Sequence, residues 1–161
     1  MADIAARAGI GRATLYKYFA DADSVIRAWH EREIDRHLGE VAAIRSGPGD
    51  AATRLAQVLE RYATGAHAGR RAHDAELAAF LHRDARVDAA RHRLQRLLAD
   101  LIAETAANGG VRDDVAPREL AGYCLAALAA AGELQSAAAV RRLVQLTLAG
   151  LRPVPGRADD S

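Results

Sequence analysis

The sequence predicts an all-α protein with a small N-terminal head and a larger helical body. Two observations favour this fold class. Apolar residues recur at three- and four-residue steps in every long segment, most regularly from Val87 to Ala107. No stretch alternates apolar and polar positions in the way that a half-buried strand requires. At 161 residues the chain is long enough for one core, or for a head on a body.

The head occupies residues 1–23, and its residues 3–19 read DIAARAGIGRATLYKYF. A first short helix is predicted over residues 2–8 and a second from Arg12 to about Tyr18. Gly9 ends the first helix, because glycine adopts the left-handed conformation without steric cost. Two short helices joined by a glycine-containing turn form a helix-turn-helix, which suits the major groove of DNA.

The second short helix turns Leu15 and Phe19 inward and leaves cationic, small and aromatic side chains facing outward. Such a mixture suits phosphate oxygens, base edges and thymine methyl groups. Spacing alone also fits any two short amphipathic helices with a glycine between them. Residue identity favours the DNA-binding interpretation.

The 3–19 segment resembles the DNA-binding signature of the TetR family of bacterial transcriptional regulators. The matching features are Ala-Gly at the turn, Thr-Leu-Tyr in the second helix and the closing Phe19. The resemblance implies double-stranded DNA as a partner and two sets of contact residues. Arg12, Ala13 and Tyr16 would read base edges, and Thr14, Lys17 and Tyr18 would contact backbone phosphates.

Three features depart from the family pattern. Gly11 stands where the family usually has Ser or Thr, so the helix start lacks a capping side-chain oxygen. Ala22 stands where the family tends to place a phosphate-binding Lys, between Asp21 and Asp23. TetR-like heads have three helices, and this chain opens at the second. We expect either a start codon assigned too far downstream or a truncated product with a loosened head.

The body is predicted over residues 24–152, followed by a disordered tail over 153–161. Its first helix begins near Asp23 or Ser24, either of which can cap it, and continues to about Arg45. Asp50 caps the next helix, and Gly65 to Gly69 marks its end. The remaining helices are expected over residues 71–82, 87–107, 117–132 and 137–151.

The last two helices are rich in small residues, such as Ala126 and Ala130, which allow close helix approach. In a TetR-like protein these helices pair with their copies in a dimeric four-helix bundle. Internal packing of the same helices is the alternative. Because a helix-turn-helix generally reads a palindrome with two heads, we predict a homodimer.

The resemblance also implies a small-molecule effector in a cavity between the body helices. Most of the candidate lining residues would serve equally well as core. The candidates are Tyr62, Leu77, Phe80, Leu81, Leu94, Leu98 and Tyr123.

The sequence favours no catalytic, cofactor or metal site. His30, Glu33 and His37 could share a helix face, but no fourth ligand or cysteine-rich spacing accompanies them. Cys124, the single cysteine, rules out an internal disulfide and is compatible with a cytoplasmic location. No signal peptide or membrane-spanning segment is apparent.

We therefore expect a ligand-responsive repressor that binds a palindromic operator as a homodimer. The alternative is a ligand-binding dimerisation module that has lost DNA binding through N-terminal truncation.

Overall fold

The computed structural model describes residues 2, 5–6, 9, 11–72 and 85–154. Every regular element in this part of the chain is helical, which confirms the predicted all-α class. The chain divides into two compact units, Met1–Arg36 and His37–Ser161. The elements are α1 (Arg12–Tyr18), α2 (Ala22–Arg45), α3 (Ala51–Ala72), α4 (Ala85–Ala107), α5 (Pro117–Ala129), a 3₁₀ turn (Ala130–Glu133) and α6 (Ala137–Gly150).

Helix α2 is capped by Asp21, and the expectation that Asp23 or Ser24 caps it was wrong. The backbone N–H of Ser24 donates to Asp21 Oδ1 at 2.7 Å, and the Asp21 N–H donates to Ser24 Oγ at 3.2 Å. This reciprocal pair satisfies two amides that the first turn leaves without helical partners. The hydrogen bonds from Ser24 hold the pKa of the Asp21 carboxyl below its usual value.

Helix α3 begins after Asp50, as predicted, since the Thr53 N–H donates to Asp50 Oδ1 at 2.7 Å. The predicted break at Gly65 to Gly69 was wrong, because α3 continues through both glycines to Ala72. Each glycine costs about 1 kcal/mol relative to alanine in a helix. Burial of one face of α3 offsets that cost, and the His67 ring also hydrogen-bonds the Ala131 carbonyl at 3.1 Å.

The helix predicted over residues 71–82 falls mainly outside the described residues, as do positions 155–161 of the predicted tail. None of the described helices has the length and apolar content that crossing a membrane requires.

Helix α3 organises the body, because it packs against α4, α5, the 3₁₀ turn and α6. Full burial of a leucine-sized side chain contributes about 1.5–3 kcal/mol. The residues that α3 contributes to the core are Ala51, Leu55, Val58, Leu59 and Ala63.

Helix α4 has the apolar stripe that its sequence predicts. Leu98, Leu101 and Ile102 are fully buried. Thr105, which is also buried, keeps its hydroxyl satisfied by donating to the Leu101 carbonyl at 2.7 Å. One turn of helix therefore supplies both the apolar contacts and the hydrogen bond that burial requires.

Helix α4 ends in a Schellman motif at Gly109. The Gly109 N–H donates to the Ala106 carbonyl at 2.8 Å, and the Gly110 N–H donates to the Thr105 carbonyl at 2.9 Å. This geometry requires a left-handed residue, and Gly109 has φ +73°.

The C-terminal end of α2 is held by Arg54 of α3. The Arg54 guanidinium donates to the Arg45 carbonyl at 2.6 Å and to Glu104 Oε1 of α4 at 2.5 Å. The Arg54 side chain is only 16% exposed, so solvent screens these contacts less than it screens a surface pair. Arg45 also pairs with Asp100 of α4 at 3.3 Å.

We predict that Gly109→Ala lowers the free energy of unfolding by about 1–2 kcal/mol, because alanine is strained in the left-handed region. Gly39→Ala is the matched control. Like Gly109, Gly39 has open space where a Cβ would stand, but it lies inside α2 without a positive φ. The control should therefore raise stability by about 0.5–1 kcal/mol. Urea unfolding measures the free energy of unfolding of both variants. An equal effect of the two substitutions would contradict the left-handed cap at Gly109.

Candidate nucleic-acid interface

A glycine turn precedes α1 at the predicted position. Ala2, Ala5 and Ala6 are helical, and the Gly9 N–H donates to the Ala6 carbonyl at 3.3 Å. Gly9 has φ +66°, a conformation that glycine adopts without strain. The chain therefore leaves one helical segment, turns, and enters α1 after Gly11.

Helix α1 begins and ends within two turns. Its N-cap residue, Gly11, is extended at φ −67° and ψ 144° and offers no side-chain cap. The Leu15 N–H closes the first turn on the Gly11 carbonyl at 3.1 Å. Phe19 then adopts an extended conformation, and its N–H donates to the Leu15 carbonyl at 3.0 Å.

Helix α1 buries one face and exposes five of the six side chains that the resemblance assigned to DNA. Leu15 is 5% exposed, and Ala5 of the preceding segment is also buried. Tyr16 is 55% exposed and Tyr18 is 69% exposed. Ala13, Thr14 and Lys17 are exposed as well. Arg12 is the first residue of α1, and its side chain lies outside the described residues.

The outward face of α1 carries a cation next to an aromatic ring. Lys17 Nζ lies 5.6 Å from the centroid of the Tyr18 ring. This distance is within the range of a cation–π interaction. Lys17 also lies in the last turn of α1, where the helix dipole favours a positive charge.

A groove on the first unit was not anticipated from the sequence. Its volume is about 500 Å³, and the exposed Trp29 is 46% accessible. The spacing of Val25, Trp29, Arg32 and Arg36 along one side of α2 is the signal that could have indicated it. The lining residues are Phe19, Val25, Ala28, Trp29, Arg32, Glu33 and Arg36.

The candidate pocket residues of the body differ in their burial. Leu98 is fully buried, and Tyr62 and Leu94 pack partly buried against the same core. Burial raises the pKa of the Tyr62 hydroxyl. Tyr123 instead is 48% exposed, with its hydroxyl beside Gly150. Leu77, Phe80 and Leu81 lie outside the described residues.

Within the described residues, no three His, Cys, Asp or Glu side chains are grouped to hold a metal ion. Glu33, one of the residues considered at the sequence level, pairs with Arg36 at 2.7 Å. Cys124 is buried, and burial raises its pKa to about 12. Its thiol is therefore almost wholly protonated near neutral pH and is a poor nucleophile.

Two protein-family models match different parts of the chain. Residues 1–28 match the model described as "Bacterial regulatory proteins, tetR family". Residues 48–153 match the model "Transcriptional regulator SbtR-like, C-terminal domain". The chain belongs to the TetR family of transcriptional regulators. No curated protein matches the sequence.

Solved TetR-like structures share the fold. A TetR/AcrR regulator from Thermobifida fusca has 22% identity and a TM-score of 0.74, covering 93% of this chain and 85% of its own. The regulator SCO0520 from Streptomyces coelicolor has 26% identity and a TM-score of 0.69, covering 94% and 86%. FadR from Bacillus subtilis, in complex with stearoyl-CoA, has 14% identity and a TM-score of 0.65, covering 94% and 88%.

Proposed function

We propose that this TetR-family regulator is a repressor that binds a palindromic operator as a homodimer and is released by a small-molecule effector. The exposed polar and aromatic face of α1, directly after a left-handed glycine turn, is the observation that carries this proposal. A simpler explanation is that this face is only the solvent-exposed side of a packed helix pair, which would explain why its side chains are exposed. It would not explain why that face lies within the segment that matches the TetR-family N-terminal model.

The residues of α1 divide by chemistry. Arg12, Ala13 and Tyr16 read base edges, because a guanidinium, a methyl group and a phenol can contact groups in the major groove. Phosphates are contacted by Thr14 and Lys17, whose hydroxyl and ammonium groups donate hydrogen bonds or carry positive charge. Tyr18, to which the family resemblance assigns a third phosphate contact, has its ring beside the Lys17 ammonium. The protein acts in the cytoplasm, where bacterial DNA lies, and as a regulator it needs no catalytic site.

The outer faces of α5 and α6 are the dimerisation surface. They expose two large side chains, Tyr123 at 48% and Leu146 at 69%. Small exposed residues, including Ala126 and Ala149, lie beside them and would permit close approach of a second copy. Exposed apolar residues on neighbouring helices favour a protein contact over solvent.

The effector binds within the body, near Tyr62, Leu94 and Leu98. FadR, a structural neighbour, is in complex with stearoyl-CoA, which supports a small molecule as the effector of this chain. Effector binding shifts α2 and moves the two heads out of register with successive major grooves. Such coupling is reciprocal, so operator DNA lowers effector affinity by the same factor.

A second candidate function is a ligand-binding dimerisation module without DNA binding. The exposed carboxylates of Asp21 and Asp23, on either side of Ala22, favour it, because they repel phosphate close to α1. In this case the chain would pair with other copies or relatives and leave DNA unbound.

We predict different effects for two substitutions in α1. Tyr16→Ala should reduce discrimination between the DNA flanking its own gene and a mixed-sequence duplex by about 1–3 kcal/mol. Lys17→Ala should weaken binding to both duplexes equally. It should also reduce the steepness of the plot of log affinity against log salt concentration by about 1. Fluorescence anisotropy measures both effects, with Arg93→Ala as a control that removes an exposed positive charge from the body. If wild-type protein forms dimers but binds neither duplex, the second candidate function replaces the first.

We predict that Leu146→Asp converts the dimer to a monomer at micromolar concentration, because it would bury a carboxylate at the interface. Gln57→Asp adds the same charge to an exposed position of α3 and should leave the dimer intact. Sedimentation velocity distinguishes the two species. A monomeric wild-type protein, or a Leu146→Asp variant that dimerises normally, would disprove this interface.

A further inference from the structure

The contact between Lys17 and Tyr18 does not follow from helix geometry. Successive residues point about 100° apart around a helix, and side chains at i and i+1 do not normally face each other. The Lys17 ammonium nevertheless lies 5.6 Å from the Tyr18 ring centroid. Tyr18 is the last residue of α1, and the extended Phe19 follows it. The contact therefore depends on the rotamers that the two side chains adopt.

Among the residues that the structure describes, no carboxylate pairs with Lys17. The closest acidic residue in the sequence, Asp21, instead accepts a hydrogen bond from the Ser24 N–H at the start of α2. A carboxylate partner would neutralise the lysine charge and occupy its donors. An aromatic ring restrains the ammonium while leaving both its charge and most of its N–H donors available.

We propose that Tyr18 is a positioning residue for Lys17, in that its ring holds the ammonium where α1 meets a backbone phosphate. This inference rests on the proposed DNA-binding function. It assigns the contribution of Tyr18 to the face of its ring, whereas the family resemblance implies that Tyr18 itself contacts a phosphate. Ring and hydroxyl can be separated by substitution, because phenylalanine keeps the first and loses the second.

The expected size of the effect follows from the exposure of the pair. A cation–π interaction at an exposed site corresponds to about a two- to fivefold change in an equilibrium constant. Removing the ring should therefore weaken DNA binding by that factor, and only while Lys17 is present. A double-mutant cycle isolates this dependence, since independent residues give additive effects.

The cycle uses the full 161-residue chain and a mixed-sequence duplex at low salt. We expect Tyr18→Phe to bind as wild type and Tyr18→Leu to bind about two- to fivefold more weakly. In the Lys17→Met background, Tyr18→Leu should cause no further loss. Rescue by phenylalanine would not be expected if the hydroxyl contacted phosphate directly. Thermal unfolding of each variant checks that the head remains folded.

Tyr16 provides the matched control, because it is a second exposed tyrosine on the same helix, 55% accessible. Tyr16→Leu and Lys17→Met should have additive effects on binding to the mixed-sequence duplex. Additive effects of Tyr18→Leu and Lys17→Met would overturn the proposal, as would an equal loss in Tyr18→Phe and Tyr18→Leu. If wild type binds DNA but Lys17→Met does so equally well, only this inference fails. If wild type binds no DNA, the proposed function fails with it.

Discussion

Burial of one face of α3 is the constraint on which the body depends. This helix contacts α4, α5, the 3₁₀ turn and α6, and its Leu59 and Ala63 are wholly inaccessible to solvent. The packed residues of α3 extend from Ala51 to Ala66, and the His67 ring hydrogen-bonds the Ala131 carbonyl. This packing past Gly65 explains why α3 continues through that glycine, which would favour an end in an isolated helix.

The same helix supplies the polar contacts that fix the C-terminal part of α2. Arg54 reaches the Arg45 carbonyl and Glu104, and Arg61 pairs with Glu40 of α2. The Arg54 and Arg61 side chains are 16% and 27% exposed, so solvent screens these contacts less than it screens a fully exposed pair. Helix α2 also contributes residues to the N-terminal unit. A change in α3 or α4 that alters these polar contacts would therefore act on α2, the helix that shifts in the proposed mechanism.

Much of the fold could be predicted from local sequence. The stripe of α4, its end at Gly109 and the cap at Asp50 follow from periodicity and from residues with strong local preferences. The continuation of α3 could not, because it depends on tertiary packing. The outward position of Tyr16 and Lys17 followed from helical spacing, whereas the Lys17 contact with Tyr18 depends on side-chain rotamers. The exposure of Tyr123 likewise depends on how α5 packs beside Gly150 of α6.

In the proposed function, α1 enters the major groove as part of a two-headed regulator. This binding mode can be tested by DNase I footprinting of the 161-residue chain on the DNA that flanks its own gene. We expect one protected stretch with two inverted half-sites, whose centres are separated by about 10 base pairs or a multiple of that spacing. Absence of protection at concentrations where the protein is dimeric, or uniform protection without a preferred site, would contradict it.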